Sequence, residues 1–390
     1  MQLKIGNISA IELAKTYGTP LYVYDKSILL NKMKELKDSF PNSKICYAIK
    51  ANSNLDILKI IANGGFGADC SNAIELSYAK KAGFNLKNSL FTAVNPKDED
   101  LKFALESGVT INLDDISILK RLLNFGTPEI ISFRINPGFG KGKFPGIVVG
   151  GSGTKFGMNE DLAREAYKLA KQKGIKRFGI HMMTGSCVLY EDYFEELTFA
   201  IQEIANRISQ SLDINFEFID IGGGLGVPYE PHEKALNLKS IGERVEKAFT
   251  YPATLFLEPG RFFVAESGTL LTQVTTIKNN FIGVDAGMST LLRPALYNAY
   301  HPIVLANNTE SEYIQEANIV GPICENTDCF AKNRAMPLVK EKDILAIQVV
   351  GAYGFVMSSR YNGLLRPAEI LVDNEKIEVI REREKIDDVI

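Results

Sequence analysis

Between Lys44 and Leu257 the chain alternates eight short apolar or β-branched runs with stretches of helical period, and few folds accept that rhythm. The runs are Lys44–Ile49, Phe66–Asp69, Leu90–Ala93, Val109–Asn112, Ile130–Ile135, Phe178–Met182, Phe216–Ile219 and Thr254–Leu257. Between most of them apolar residues recur at three- and four-residue spacing, as in Leu55–Ala62, Ala73–Ala82, Asp98–Glu106, Asp161–Lys173, Tyr193–Ser209 and Leu236–Ala248. Strands that alternate with helices build a parallel sheet. Eight consecutive units without a dinucleotide fingerprint favour closure into an α/β fold of the (β/α)8 TIM-like barrel type over an open doubly wound sheet. From about Thr269 the rhythm changes to strand-like runs with turns: Leu270–Lys278, Phe281–Val284, Ile303–Leu305, Ile344–Val350, Ala368–Val372 and Lys376–Arg381. The predicted organisation is a barrel over residues 26–268 and a smaller β-rich domain from residues 1–25 plus 269–390, with the alternating strand Leu21–Tyr24 joining the second.

Composition narrows the partners. A net charge of −3 excludes a general nucleic-acid binder and a protein of anionic membrane surfaces. No apolar run is long enough to span a bilayer, and Met1–Thr19 mixes charges where a signal peptide needs an apolar stretch. The five cysteines have no C-x-x-C spacing, and His181, His232 and His301 are not spaced as ligands on one helix. The expectation is a cytoplasmic protein with no disulfide framework, no metal, no nucleic-acid partner and no membrane contact.

In a barrel of this type chemistry sits at the C-terminal ends of the strands, and the polar outliers fall there. Lys50 ends the first strand and Asp69 the second. His181 to Ser186 follow the sixth, Gly222-Gly223-Gly224 the seventh, and Glu258-Pro259-Gly260-Arg261 the eighth. Successive glycines let backbone N–H groups close on a ligand without obstruction, which suits a phosphate; a tight turn is the plainer explanation of such a triplet taken alone. A lysine at a strand end is more often a snorkelling surface residue than a functional amine. Beside a phosphate cradle and the carboxylate of Glu258, an amine that attacks aldehydes is explained together with its neighbours by one cofactor carrying both an aldehyde and a phosphate, pyridoxal 5'-phosphate.

Cys46-Tyr47-Ala48-Ile49-Lys50-Ala51-Asn52 resembles the cofactor-lysine strand of the fold-type III pyridoxal-phosphate decarboxylases, and within them the diaminopimelate branch. The likeness includes Lys155-Phe156-Gly157, Asp220–Gly226, Glu258–Arg261, Asp285–Met288, Arg293–Tyr297, Gly321–Glu325, Gly351–Phe355 and Arg366–Glu369. It implies decarboxylation of meso-2,6-diaminopimelate to L-lysine, the last step of lysine biosynthesis. It also implies a homodimer whose active site is completed by Cys324 and Glu325 of the partner subunit. By the same likeness Lys50 holds the cofactor as a Schiff base and Glu258 faces its ring nitrogen. Asp69, Ser186, Gly222, Gly223, Gly224, Gly260, Arg261 and Tyr353 bind it. Arg261, Arg293, Tyr297, Glu325 and Tyr353 bind the substrate, and Cys324 delivers a proton.

The sequence departs from that family at one place of consequence. Where the family carries a second histidine stacked on the cofactor ring, the run His181-Met182-Met183-Thr184-Gly185-Ser186 has Met183. A thioether still packs favourably on an aromatic ring, by about 0.3–1.5 kcal/mol, but carries no charge. Met183 keeps open a decarboxylase of another basic, D-configured or carrier-linked amino acid. A regulatory homologue without catalysis is the non-enzymatic alternative.

Overall fold

The computed structural model of the chain describes residues 1–143, 148–151 and 153–390. Its contacts divide it into two compact units, one of Met33–Val227 with Lys234–Phe262, the other of Met1–Lys32, Pro228–Glu233 and Phe263–Ile390.

The first unit is a closed barrel of eight parallel strands in sequence order, Lys44–Ala48, Gly67–Cys70, Leu90–Ala93, Thr110–Leu113, Ile130–Ile135, Arg177–Met182, Phe216–Asp220 and Thr254–Leu257. Closure comes where the last strand pairs with the first, Phe256 with Lys44 and Leu257 with Ile45. Side chains alternate in and out along a strand, and the inward set meets in a cluster of Cys46, Leu90, Phe218 and Phe256. Two of these rings stack with centroids 4.5 Å apart. The bulk of Phe218 is admitted by Gly179 on the neighbouring strand, where a Cβ would come within 2.1 Å of its ring. The barrel is thus a filled core with its chemistry displaced to one end.

Most expected elements are present within a residue or two, with three differences. The first strand ends at Ala48 and Lys50 lies in a 3-10 turn, Ile49–Ala51, not in the strand itself. Helices Lys26–Ser39 and Ile116–Leu122 form where charged residues blur the apolar period. The loop after the fifth strand contains Lys141–Gly142, paired in parallel with Gly185–Ser186; residues 144–147 and 152 of that loop lie outside the described residues.

The second unit is built on a nine-stranded sheet. At its centre the buried strand Leu21–Asp25 runs antiparallel to Gly268–Lys278 and parallel to Ala368–Asp373. Leu13, Leu21, Val23, Leu271, Ala346, Ile370 and Val372 form its core. Two strands of this sheet were not foreseen, Gln315–Val320 and Cys329–Met336, which pair with each other and carry too many polar residues to read as apolar runs. The run expected over Ile344–Val350 ends at Gln348, because Val349 turns into the left-handed region at φ +58°. Among the described residues no helix is long and apolar enough to cross a membrane, and all five cysteines are free thiols.

Candidate active site

The inward phase of the strands dictates which residues meet at the C-terminal end of the barrel. Two residues beyond Phe218 stands Asp220, and two beyond Phe256 stands Glu258. Leu90 leads to Thr92, Gly179 to His181, and Cys46 through Ala48 to Lys50. A core of apolar side chains therefore gives way, one layer up, to a ring of polar ones; Thr92, His181 and Asp220 lie in strands, Glu258 directly after its strand, and Lys50 in the turn that follows the first.

Lys50 Nζ donates to Asp69 Oδ2 at 2.7 Å; the carboxylate is wholly buried while the lysine side chain is 46% exposed. Glu258, 6% exposed, has Oε2 3.2 Å from His181 Nε2 and accepts from the Thr92 hydroxyl at 3.4 Å. Burial alone would push Glu258 up, but His181 beside it, then Lys50, pull its carboxyl down to about 2. His181, Asp220 and Glu258 bring ligand-type atoms within 4.8 Å of one another, a spacing a metal ion could use. Burial, and after it the charge of Glu258, push the Asp220 carboxyl well up. The negative charge of the cluster therefore rests on Glu258.

Asp69 carries a second consequence of burial. Desolvation first and the charge of Glu258 next raise its carboxyl from 3.8 to about 6, against the pull of Lys50. An acid raised on folding adds stability that is fully present below its unfolded value and is lost as pH rises through the folded one. Asp69→Asn removes that loss, so its thermal stability relative to the parent should climb between pH 4 and pH 6 in the cofactor-free chain. Melting curves across that range check it; a flat difference would mean that Asp69 does not titrate there.

After the seventh strand the glycines shape a cradle. Gly222 and Gly224 sit at φ +68° and +96°, conformations costly for other residues. A Cβ on Gly223 would meet the Glu258 carbonyl at 2.4 Å. The loop is held by its carbonyls, Gly222 O taking Glu258 N–H at 2.8 Å and Gly224 O taking Val188 N–H at 2.9 Å. Asp220 Oδ1 accepts Gly222 N–H at 2.7 Å, and Met183 Sδ accepts Gly223 N–H at 3.1 Å. Met183 is fixed in turn by Arg134, whose guanidinium donates to its carbonyl at 2.9 Å and to Val149 O at 3.1 Å. Gly260 lets the loop after the eighth strand close on the lysine turn, since a Cβ there would lie 2.9 Å from that of Ala51. Arg261 follows, buried, and Ser186 is half-buried in its short strand.

The structure thus brings together Lys50, Asp69, Gly222–Gly224, Glu258 and Gly260 within one unit. Ser186 and Arg261 belong to the same unit, and the other expected residues to the second. Arg293 and Tyr297 share a short helix, Arg293–Tyr297, the first buried and the second partly so. Cys324 and Glu325 stand exposed between strands, with Glu325 accepting from the Tyr361 and Thr327 hydroxyls. Tyr353 holds a positive φ of +55°. Sequence reading missed Thr92, Arg134 and the pairing of His181 with Glu258. The available signal was phase: each is a polar residue in the inward register of a strand that is otherwise apolar.

The amine, the carboxylate and a loop whose glycines permit close approach fit one group, the Gly222 and Gly223 N–H groups being engaged here by Asp220 and Met183. Asp69 Oδ1 and His181 Nδ1 are buried with no hydrogen-bond partner among the described residues, polar atoms that a polar ligand would satisfy. A barrel that presents an amine, a deeply held carboxylate and a glycine cradle at one end is an enzyme built for a cofactor with an aldehyde and a phosphate. The family model described as pyridoxal-dependent decarboxylase, pyridoxal binding domain, matches residues 26–265. The chain belongs to that family, its cofactor is pyridoxal 5'-phosphate, and its class is carboxy-lyase. It is 40% identical to the diaminopimelate decarboxylase of Methanothermobacter thermautotrophicus over 100% of this chain and 94% of that one. The crystal structure of diaminopimelate decarboxylase from Helicobacter pylori complexed with L-lysine superposes with a TM-score of 0.92 at 37% identity, covering 97% of each chain. A lysine/ornithine decarboxylase from Vibrio vulnificus, at 20% identity, TM-score 0.81 and 94% and 99% coverage, shares the fold.

Proposed function

We propose that this chain removes one carboxyl group of meso-2,6-diaminopimelate to give L-lysine, the last step of lysine biosynthesis. The observation that carries the reading is the meeting of Lys50, Glu258 and the Gly222–Gly224 cradle on one barrel end, in a chain alike over its full length to diaminopimelate decarboxylases. Pyridoxal phosphate, when bound, supplies the electron sink for breaking the bond to a carboxylate. Lys50 holds it through its aldehyde, and Glu258 keeps the ring nitrogen protonated. Asp69, Ser186, Gly222, Gly223, Gly224, Gly260, Arg261 and Tyr353 hold and orient it.

The substrate needs its far end fixed, since orientation at the reacting carbon is bought from remote contacts. Arg293 and Arg261 suit the distal carboxylate because a guanidinium fork matches it with two donors; Tyr297 and Tyr353 complete the grip. Glu325 takes the distal ammonium, and Cys324 protonates the carbon that has lost carbon dioxide. Cys324 and Glu325 serve the site of a second copy in a homodimer, and their exposure on a loop suits that role.

Carbon dioxide release from meso-, LL- and DD-diaminopimelate, ornithine, arginine and D-lysine tests the substrate. Turnover of the meso isomer well above the others is expected, and preference for ornithine, arginine or D-lysine would overturn the reading. Mixing Lys50→Ala with Cys324→Ala protein should restore activity that neither has alone; no recovery would place Cys324 in its own subunit's site or outside any.

A further inference from the structure

In the second unit a buried histidine has both of its ring nitrogens spoken for, and the pattern fixes its chemistry. Arg293, 2% exposed, places its guanidinium Nη1 2.8 Å from His301 Nε2. A guanidinium only donates, so Nε2 accepts. His301 Nδ1 lies 3.0 Å from the Gln348 carbonyl, which only accepts, so Nδ1 carries the proton. The imidazole is therefore the neutral Nδ1–H tautomer.

Three further contacts lock this arrangement. The Arg293 guanidinium lies over the Tyr229 ring at 4.6 Å, and the Tyr229 and His301 rings meet in a T-shaped contact, centroids 5.3 Å and planes 87° apart. Arg334 donates to the His301 carbonyl at 2.9 Å. Gln348 ends its strand because Val349 adopts a left-handed conformation, φ +58°, one that a β-branched residue holds only when its surroundings demand it.

A neutral acceptor aims an arginine without neutralising it. A carboxylate in the place of His301 would engage the same fork bidentately and compete with any carboxylate ligand. We propose that His301 is a positioning residue for substrate recognition: it orients the Arg293 guanidinium for the distal carboxylate without itself engaging the fork bidentately. This rests on the assignment of Arg293 to that carboxylate.

The test uses the loaded enzyme and reads kcat and KM for meso-diaminopimelate alongside inhibition by 1,5-diaminopentane, which keeps both amines and has no carboxylate. His301→Leu should raise KM by about tenfold, the scale of one misaligned hydrogen bond to a charged group. Its kcat should move far less, and inhibition by the diamine should be unchanged. His301→Gln, whose side-chain oxygen can still accept from Arg293, should recover most of the loss. If the leucine variant does not fold, His301→Asn, too short to reach Arg293, takes its place with the same expectation. Arg293→Ala should raise KM by about 100-fold with the same indifference of the diamine. A large effect of Arg293→Ala with none from His301 variants overturns the positioning role alone. No effect from Arg293→Ala overturns the carboxylate assignment and the inference with it. Equal losses in KM, kcat and diamine binding mark His301 as merely structural and overturn the proposal as well.

Discussion

Lys50→Ala should abolish carbon dioxide release, by on the order of 10³-fold or more, while leaving a folded chain. The amine is placed where it can meet an aldehyde: it leaves the barrel on a 3-10 turn, is 46% exposed along its side chain, and is held at 2.7 Å by Asp69. Removing it strands a buried carboxylate, which ordinarily costs several kcal/mol. Asp69 escapes that cost, because burial and Glu258 have already raised its carboxyl to about 6, and without the lysine it simply keeps a proton. Stability therefore separates from activity in this variant. Borohydride treatment of the loaded parent should fix the cofactor to the peptide that contains Lys50, and the variant should take no label. Appreciable turnover, or labelling elsewhere, would remove Lys50 from its role.

Glu258→Gln should be the next most damaging change, with kcat lower by on the order of 10²-fold and KM little altered. Its carboxyl is buried, pulled down to about 2, and aligned by His181 and Thr92. Glutamine preserves the shape and the two contacts and loses the charge, so the comparison isolates electrostatics. The charge also helps to push up Asp220, and that upward push lessens in the variant. The absorbance of the bound cofactor should shift in Glu258→Gln at unchanged stoichiometry. A kcat within about threefold of the parent would show that the site does not depend on this carboxylate.

The barrel was legible because its signal is repeated: strands at Leu90–Ala93, Ile130–Ile135 and Thr254–Leu257 have the bounds that the apolar runs suggest. Lys50, Glu258 and the glycines were legible because their residue types are out of place at strand ends. What escaped was set by three-dimensional phase or by polar edges. Thr92 looks like an ordinary strand threonine until its inward register places it against Glu258. Arg134 sits in a strand that scans as apolar, and only the fold shows it tying Val149 to Met183. Strands Gln315–Val320 and Cys329–Met336 escaped because their polar residues break up the apolar pattern. Met183 was legible as a departure, whereas its hydrogen bond to the cradle was not.

The position of Leu21–Asp25 at the heart of the nine-stranded sheet sets the order in which a nascent chain can mature. Its two neighbours, Gly268–Lys278 and Ala368–Asp373, emerge from the ribosome hundreds of residues later. The barrel can close as soon as Leu257 is free, yet the strand made before it waits with open edges, which invite pairing with other chains. The second unit is thus completed only after the whole barrel has been made, and until then the edges of its first strand stay open to pairing with other chains.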